Sequence, residues 1–160
     1  MADLAAEVVG LLRSRGQTVA VAESLTGGGL CAALTSVPGA SEVLRGGLVV
    51  YTDDVKVTMA GVPRDLLQRK GAVDPTVAVR LAEGARERCG ADWGIGLTGV
   101  AGPGPSCGVA AGTVFAGLAG AGVTRCWSLR LPGDRARVRS ATIEHALRLF
   151  GEHLTAERRS

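Results

Sequence analysis

An α/β layered domain with a mixed sheet is what this 160-residue sequence predicts. Short apolar runs alternate with segments of helical periodicity, the pattern of helices packed on a sheet. No helical segment separates the last two strand-like runs, so a hairpin joins them and the sheet is not wholly parallel. The length suits one domain, residues 1–160, and a hydrophobic content of 46% supplies it with its own core.

Taken in order, Leu4 to Arg13 sets Leu4, Val8, Leu11 and Leu12 on one helical face and stops at Gly16. Thr18 to Ala22 reads as a short buried strand. A helix is expected from about Thr26 to Ser36, closed by Pro38-Gly39. The second strand is expected at Leu48 to Tyr51, followed by a short helix through Met59. Pro63 opens another brief helix, with Asp65 early in it where the macrodipole favours an acid. Asp74 is an N-cap with Pro75 at the first helical position, and that helix turns Val77, Leu81 and Ala85 inward before ending at Gly90. Ile95 to Thr98, Thr113 to Leu118 and Arg125 to Leu131 read as strands, the last with the period-two pattern of a half-exposed strand. Asp134 leads into a long closing helix with Ile143, Leu147, Phe150 and Leu154 on one face.

Composition excludes several functions. No apolar run approaches the length of a transmembrane helix, and the acidic, amphipathic N-terminus does not read as a signal peptide, so a cytoplasmic protein away from membranes is expected. Cys31, Cys89, Cys107 and Cys126 form no C-x-x-C pair and are expected as reduced thiols. His145 and His153 have no cysteine or carboxylate cluster beside them, so they read as structural or surface residues and no metal or other cofactor is expected. Net charge is only +3, much of its excess coming from Arg135, Arg137, Arg139 and the terminal Arg158-Arg159. With few aromatics to stack bases, local anion binding fits better than a nucleic-acid track.

Within this charge pattern one lysine stands out. The 18 basic residues include only two lysines, Lys56 and Lys70. Arginine replaces lysine wherever a cation suffices, but not where an amine must lose its proton. Lys56, in Tyr51-Thr-Asp-Asp-Val-Lys56 after an apolar run, is therefore a candidate general base, the alternative being a solvated cation on a short helix. Lys70 reads as a basic residue ahead of the C-cap Gly71.

Three loops could build one pocket. Glu23-Ser-Leu-Thr-Gly-Gly-Gly29 joins a strand end to a helix start, where free N–H groups and the helix dipole favour an anion. Ser24 or Thr26 could add a hydroxyl or simply cap the helix. Gly39-Ala-Ser41 offers a serine that a neutral lysine could activate, or another N-cap. Gly94-Ile-Gly-Leu-Thr-Gly99 matches G-x-G-x-x-G literally, but it covers a strand, prolines follow, and the acidic partner is missing, since position 119 is Ala119. The dinucleotide reading is rejected, although Thr98-Gly99 and Gly102-Pro-Gly104 still suit a ligand wall.

Six ordered blocks carry a wider resemblance: Ala22-Glu-Ser-Leu-Thr-Gly-Gly28, Val37-Pro-Gly-Ala-Ser41, Tyr51-Thr-Asp-Asp-Val-Lys56, Gly71-Ala-Val73, Leu97-Thr-Gly-Val-Ala-Gly-Pro103 and Gly133-Asp-Arg135. Together they resemble the CinA C-terminal domain family over nearly the whole chain. Its stand-alone members include nicotinamide-nucleotide amidohydrolases of the PncC type. The resemblance implies a three-layer α/β/α domain with a mixed, mostly parallel sheet, self-association, and hydrolysis of nicotinamide mononucleotide to nicotinic acid mononucleotide and ammonia. Carried over by position, it implies Ser41 as nucleophile, with Tyr51 and Lys56 activating it. It implies a nucleotide site lined by Ser24, Thr26, Gly27, Gly28, Thr98, Gly99 and Arg135, with Arg135 gripping the phosphate through bidentate contacts. Lys56→Arg is then expected to fold normally and lose nearly all activity.

The sequence departs from the family pattern at the loop Pro105-Ser-Cys-Gly-Val-Ala-Ala-Gly112, shorter than usual and without its Lys-Pro. It also carries Leu25 where a cysteine is common. Larger relatives carry an N-terminal nucleotide-handling domain that this sequence does not include. The competing expectation is a non-catalytic nucleotide-binding or interaction module related to competence-damage proteins, which needs the loops but no base.

Overall fold

Five strands, β1 (Val19–Glu23), β2 (Leu44–Val49), β3 (Trp93–Gly99), β4 (Thr113–Gly120) and β5 (Val123–Arg130), form one sheet in the order β2-β1-β3-β4-β5. The computed structural model describes residues 1–157, so Arg158 and Arg159 lie outside the described residues. β1 pairs in parallel with β2 and β3, whereas β4 runs antiparallel to both β3 and β5. Only β4 opposes the common direction. The mixed, mostly parallel sheet and its terminal hairpin are both as expected.

Helices α1 (Ala2–Arg15), α2 (Gly29–Thr35) and α6 (Arg135–Glu157) cover one face, and α3 (Asp53–Ala60), α4 (Arg64–Lys70) and α5 (Pro75–Cys89) cover the other. β1 explains why both faces must be covered. Val19 and Val21 enter the larger core with α1, α2 and α6, while Ala20 and Ala22 enter the second core beneath α3, α4 and α5. All five of its residues are buried, which accounts for its continuous apolar run. Trp93 of β3 meets Phe150 and His153 of α6 edge-on, with ring centroids 5.9 and 5.2 Å apart, so His153 is a core residue. All four cysteines are free thiols. Among the described residues, no helix is long and apolar enough to cross a membrane, and no three His, Cys, Asp or Glu side chains form a group that could hold a metal.

The rejected G-x-G-x-x-G match has a packing origin. Gly94 and Gly96 of β3 face α5 so closely that a Cβ would lie 1.9 Å from the Ala82 carbonyl oxygen and 2.2 Å from that of Ala78, respectively. These neighbours are helix backbone and cannot move aside as a side-chain tip would. Gly96→Ala should therefore destabilise the fold by about 1–3 kcal/mol, read as a lower urea midpoint. An unchanged midpoint would contradict this contact. Gly84 plays the same part on α5, where a Cβ would meet the Ala60 carbonyl oxygen at 1.8 Å, and so α3 is pressed directly onto α5.

Two boundaries differ from expectation, and both bear on the site. α2 begins at Gly29, three residues later than expected, because Ser24 to Gly28 forms successive turns: Gly27 N–H donates to the Ser24 carbonyl and Gly29 N–H to that of Thr26. β2 is Leu44–Val49, starting earlier than the expected Leu48 to Tyr51. Its central Gly46-Gly47 weakens the strand signal. The glycines are there because Cys89 and Cys31 press on β2 from opposite sides, at 3.1 and 2.7 Å from where a Cβ would stand on Gly46 and Gly47.

Candidate active site

The carboxyl ends of β1, β2 and β3 lie side by side, and the loops that leave them open on one cavity of about 580 Å³. Open α/β sheets bind ligands at this edge, and the volume falls in the range that encloses small-molecule ligands. Ser24, Tyr51, Lys56, Thr98, Gly99 and Arg135 all line it. Six of the ten residues expected at the site are thus brought together.

Lys56 occupies the second turn of α3, and its side chain turns inward because α3 lies flat on α5. It is 1% exposed, which is rare for lysine. Nζ donates to the Tyr51 carbonyl at 3.0 Å, and the Asp53 carboxylate stands 4.0 Å away. Burial pushes the ammonium below the ordinary lysine range, and Asp53, itself largely in solvent, only partly offsets this. An amine in such a setting can act as a base. The bland alternative of a solvated cation does not hold.

Ser24 follows the last residue of β1, directly beside the ends of β2 and β3. Its N–H donates to the Leu97 carbonyl at 3.2 Å, and the Glu23 carbonyl accepts from Val50 N–H at 2.8 Å. Its Oγ has no hydrogen bond to the protein among the described residues, and Ser24 lines the same cavity as Lys56. The N–H groups of Leu25 and Thr26 likewise find no protein acceptor among the described residues. A free hydroxyl is followed by free donors at a strand-to-helix turn, the geometry that suits a nucleophile with an oxyanion site beside it.

Ser41 is a correction. It sits exposed on a 3₁₀ turn, Ala40–Glu42, lining a separate shallow depression with Thr35, Val37 and Leu44. β2 begins after that turn and ends before Tyr51, so its whole length, about 16–20 Å, separates Ser41 from the edge where Tyr51 and Lys56 stand. Within one chain it cannot pass a proton to Lys56.

The anion site expected at the start of α2 is also corrected. Glu23, buried at 1% exposure, turns its carboxylate onto that helix end and accepts from Leu30 N–H at 3.0 Å and Cys31 N–H at 2.8 Å. The helix dipole thus already has its anion, from within the chain. Thr26, Gly27 and Gly28 do not line the cavity. Thr26 is buried with its Oγ1 unpaired, and its loop is held from outside by Arg139, whose Nε and Nη2 donate to the Leu25 and Thr26 carbonyls at 2.9 and 3.3 Å. Glu23 and Arg139 were missed as parts of the site. Both act through the backbone of their neighbours, and sequence spacing carries no signal of that.

Arg135 is a clamp. Nη1 donates to the Gly102 carbonyl at 2.7 Å and Nη2 to the Tyr51 hydroxyl at 3.1 Å, so both terminal nitrogens already bridge the two loops that flank the cavity. Each terminal nitrogen keeps a second N–H, so a phosphate would share this guanidinium with the two loops and not hold it alone. Thr98, buried, donates to the Ala72 carbonyl at 2.7 Å and fixes the Gly71 to Val73 wall. The short loop after Gly102 still covers the cavity: Ser106 and Val109 exchange backbone hydrogen bonds of 2.9 Å, and Pro103 to Cys107 line it.

A family model described as the CinA C-terminal domain matches residues 1–154 of this sequence. The chain belongs to the CinA C-terminal domain family. A CinA-like protein from Frankia casuarinae is 49% identical over 142 residues, covering 89% of this chain and 33% of that protein. One from Myxococcus xanthus is 47% identical over 156 residues, covering 95% and 37% respectively. The chain therefore spans about a third of the length of these relatives. Among solved structures, a competence-damaged protein (CinA) superfamily protein from Klebsiella pneumoniae superposes with a TM-score of 0.94 at 29% identity, over 97% of this chain and 98% of that one. The layers and sheet order described above are thus those of a CinA domain.

Proposed function

We propose that this CinA domain is an amidohydrolase that converts nicotinamide mononucleotide to nicotinic acid mononucleotide and ammonia. One observation carries the reading: a buried lysine of lowered pKa and an unbonded serine hydroxyl, Lys56 and Ser24, line the same cavity at the carboxyl edge of the sheet. Those are the two groups that acyl transfer needs. The choice of nicotinamide mononucleotide as substrate rests on the resemblance of the six sequence blocks to PncC-type enzymes.

In this reading Ser24 takes the nucleophile's part in place of Ser41. Neutral Lys56 removes the Oγ proton as Oγ attacks the carboxamide carbon. The negative charge that develops on the carbonyl oxygen is met by the Leu25 N–H, which has no protein acceptor among the described residues and belongs to a residue of the cavity wall. The C–N bond then breaks, and the lysine's proton leaves with the amine as ammonia. Water adds to the acyl-serine with Lys56 again as base, which releases the carboxylate product and restores the hydroxyl. Tyr51, held by Arg135, walls the cavity beside Lys56. Self-association, as the resemblance implies, belongs to the same proposal.

Purified protein incubated with nicotinamide mononucleotide should release ammonia and the acid nucleotide in equal amounts. Binding of the nucleotide without ammonia release across pH 6–10 (roughly the span over which a perturbed lysine can titrate) would instead identify a non-catalytic binding module and overturn the amidohydrolase.

A further inference from the structure

Lys70 is the second of the chain's two lysines, and it lines the same cavity as the first. It stands at the last position of α4, exposed, immediately before the Gly71 to Val73 wall that Thr98 pins in place. Among the described residues no carboxylate lies within ion-pair distance of it and no acceptor receives its Nζ. The other two basic side chains already have protein partners: Lys56, neutral in the proposed reaction, is buried on the Tyr51 carbonyl, and Arg135 bridges Tyr51 and Gly102. Even with Lys56 neutral, two cations, Lys70 and Arg135, line the cavity against a single acidic residue, Asp53. The cavity therefore attracts an anion, and Lys70 is its cation with no protein partner among the described residues.

We propose that Lys70 is the phosphate-recognising residue of this cavity, selecting a phosphorylated ribosyl ligand over its unphosphorylated counterpart. A mononucleotide carries its amide and its phosphate at opposite ends. Ser24, on the loop after β1, and Lys56, on α3, mark the reacting end, and Lys70 marks the other, at the end of α4. An ammonium on a flexible stem suits a phosphate that arrives from solvent, as a compact charge with three donors. The inference rests on the proposed nucleotide site but not on its chemistry, since a binding module would need the same contact.

The test measures binding and turnover separately. Calorimetry with ribose 5-phosphate as probe should detect binding by the wild-type protein, weakened by added salt. Lys70→Met should weaken it by about tenfold or more, and Lys70→Arg should restore most of the loss. In ammonia assays the preference for nicotinamide mononucleotide over nicotinamide riboside, as a ratio of kcat/KM, should fall by a similar factor in Lys70→Met, chiefly through KM. Equal binding of ribose 5-phosphate by wild type and Lys70→Met would overturn the proposal, as would a wild-type protein that binds no phosphorylated ribosyl ligand. Wild-type protein that releases no ammonia, yet binds ribose 5-phosphate through Lys70, would remove the amidohydrolase reading and leave this one standing.

Discussion

Ser24→Ala should lower ammonia release from nicotinamide mononucleotide by about 10³-fold or more, as removal of a nucleophile does, whereas Ser41→Ala should stay within about twofold, as expected of an exposed position away from the site. The two serines differ in surroundings more than in chemistry. Ser24 lies between the ends of β2 and β3, lines the cavity with Lys56, and leaves its Oγ unbonded. Ser41 lies beyond the opposite end of β2 in a different depression. Because Oγ of Ser24 holds no bond to the protein, the alanine variant should keep the wild-type urea midpoint, so lost turnover will report chemistry and not folding. Wild-type rates from Ser24→Ala would sink its assignment as nucleophile. A matching loss in Ser41→Ala would show that the far end of β2 reaches an active site, which within one chain it does not.

Removing the amine of Lys56 should produce the second large effect, and the choice of substituent matters. Lys56→Arg, which the sequence alone suggested would fold normally, places a larger, permanently charged group in a site 1% exposed, with no carboxylate close enough to pair with it well. Lys56→Met keeps the length and drops the charge. Its turnover should fall by about 10²–10⁴-fold, the range for loss of a general base.

The pH dependence follows from the direction of the shift. Catalysis needs the neutral amine, so activity should rise with pH through the lowered pKa of Lys56 and level off below the ordinary lysine value of 10.5. Lys56→Met should lack that limb. Stability follows the same linkage. Between the lowered native pKa and the unfolded one, the unfolded chain holds more protons, so wild-type stability rises with pH across that window. Below it, the buried ammonium destabilises the native state throughout. Lys56→Met should therefore be at least as stable as wild type at neutral pH, with a flatter alkaline profile. A methionine variant that is both active and pH-independent would remove Lys56 from the chemistry.

Local signals in the sequence were reliable where the physics is local. Gly16 ends α1 in the left-handed conformation, and Asp74 caps α5 by accepting from Thr76 N–H at 2.8 Å, both as expected. The inward face of α6 was legible from its 3.6-residue period, because burial of a helix stripe is written in residue spacing. β2 was less legible. Its glycine pair suppresses the strand signal, and the reason for the glycines, the thiols of Cys31 and Cys89 pressing from either side, lies elsewhere in the chain. Ser41 entered the expected site through the resemblance of the sequence blocks, which carries no record of where β2 begins.

By itself, then, the sequence determined the alternation of helices and strands, the terminal hairpin, the kinship of six ordered blocks, and the oddity of two lysines among 18 basic residues. The tertiary structure decided which serine meets Lys56, that Glu23 already fills the α2 terminus, that Arg135 is a clamp, and that Lys70 shares the cavity. Propensity, capping and periodicity act over a few neighbouring residues, so a sequence records them directly. A site gathers residues from three strand ends and three helices, and its membership depends on where each strand begins and how closely each helix lies on the sheet.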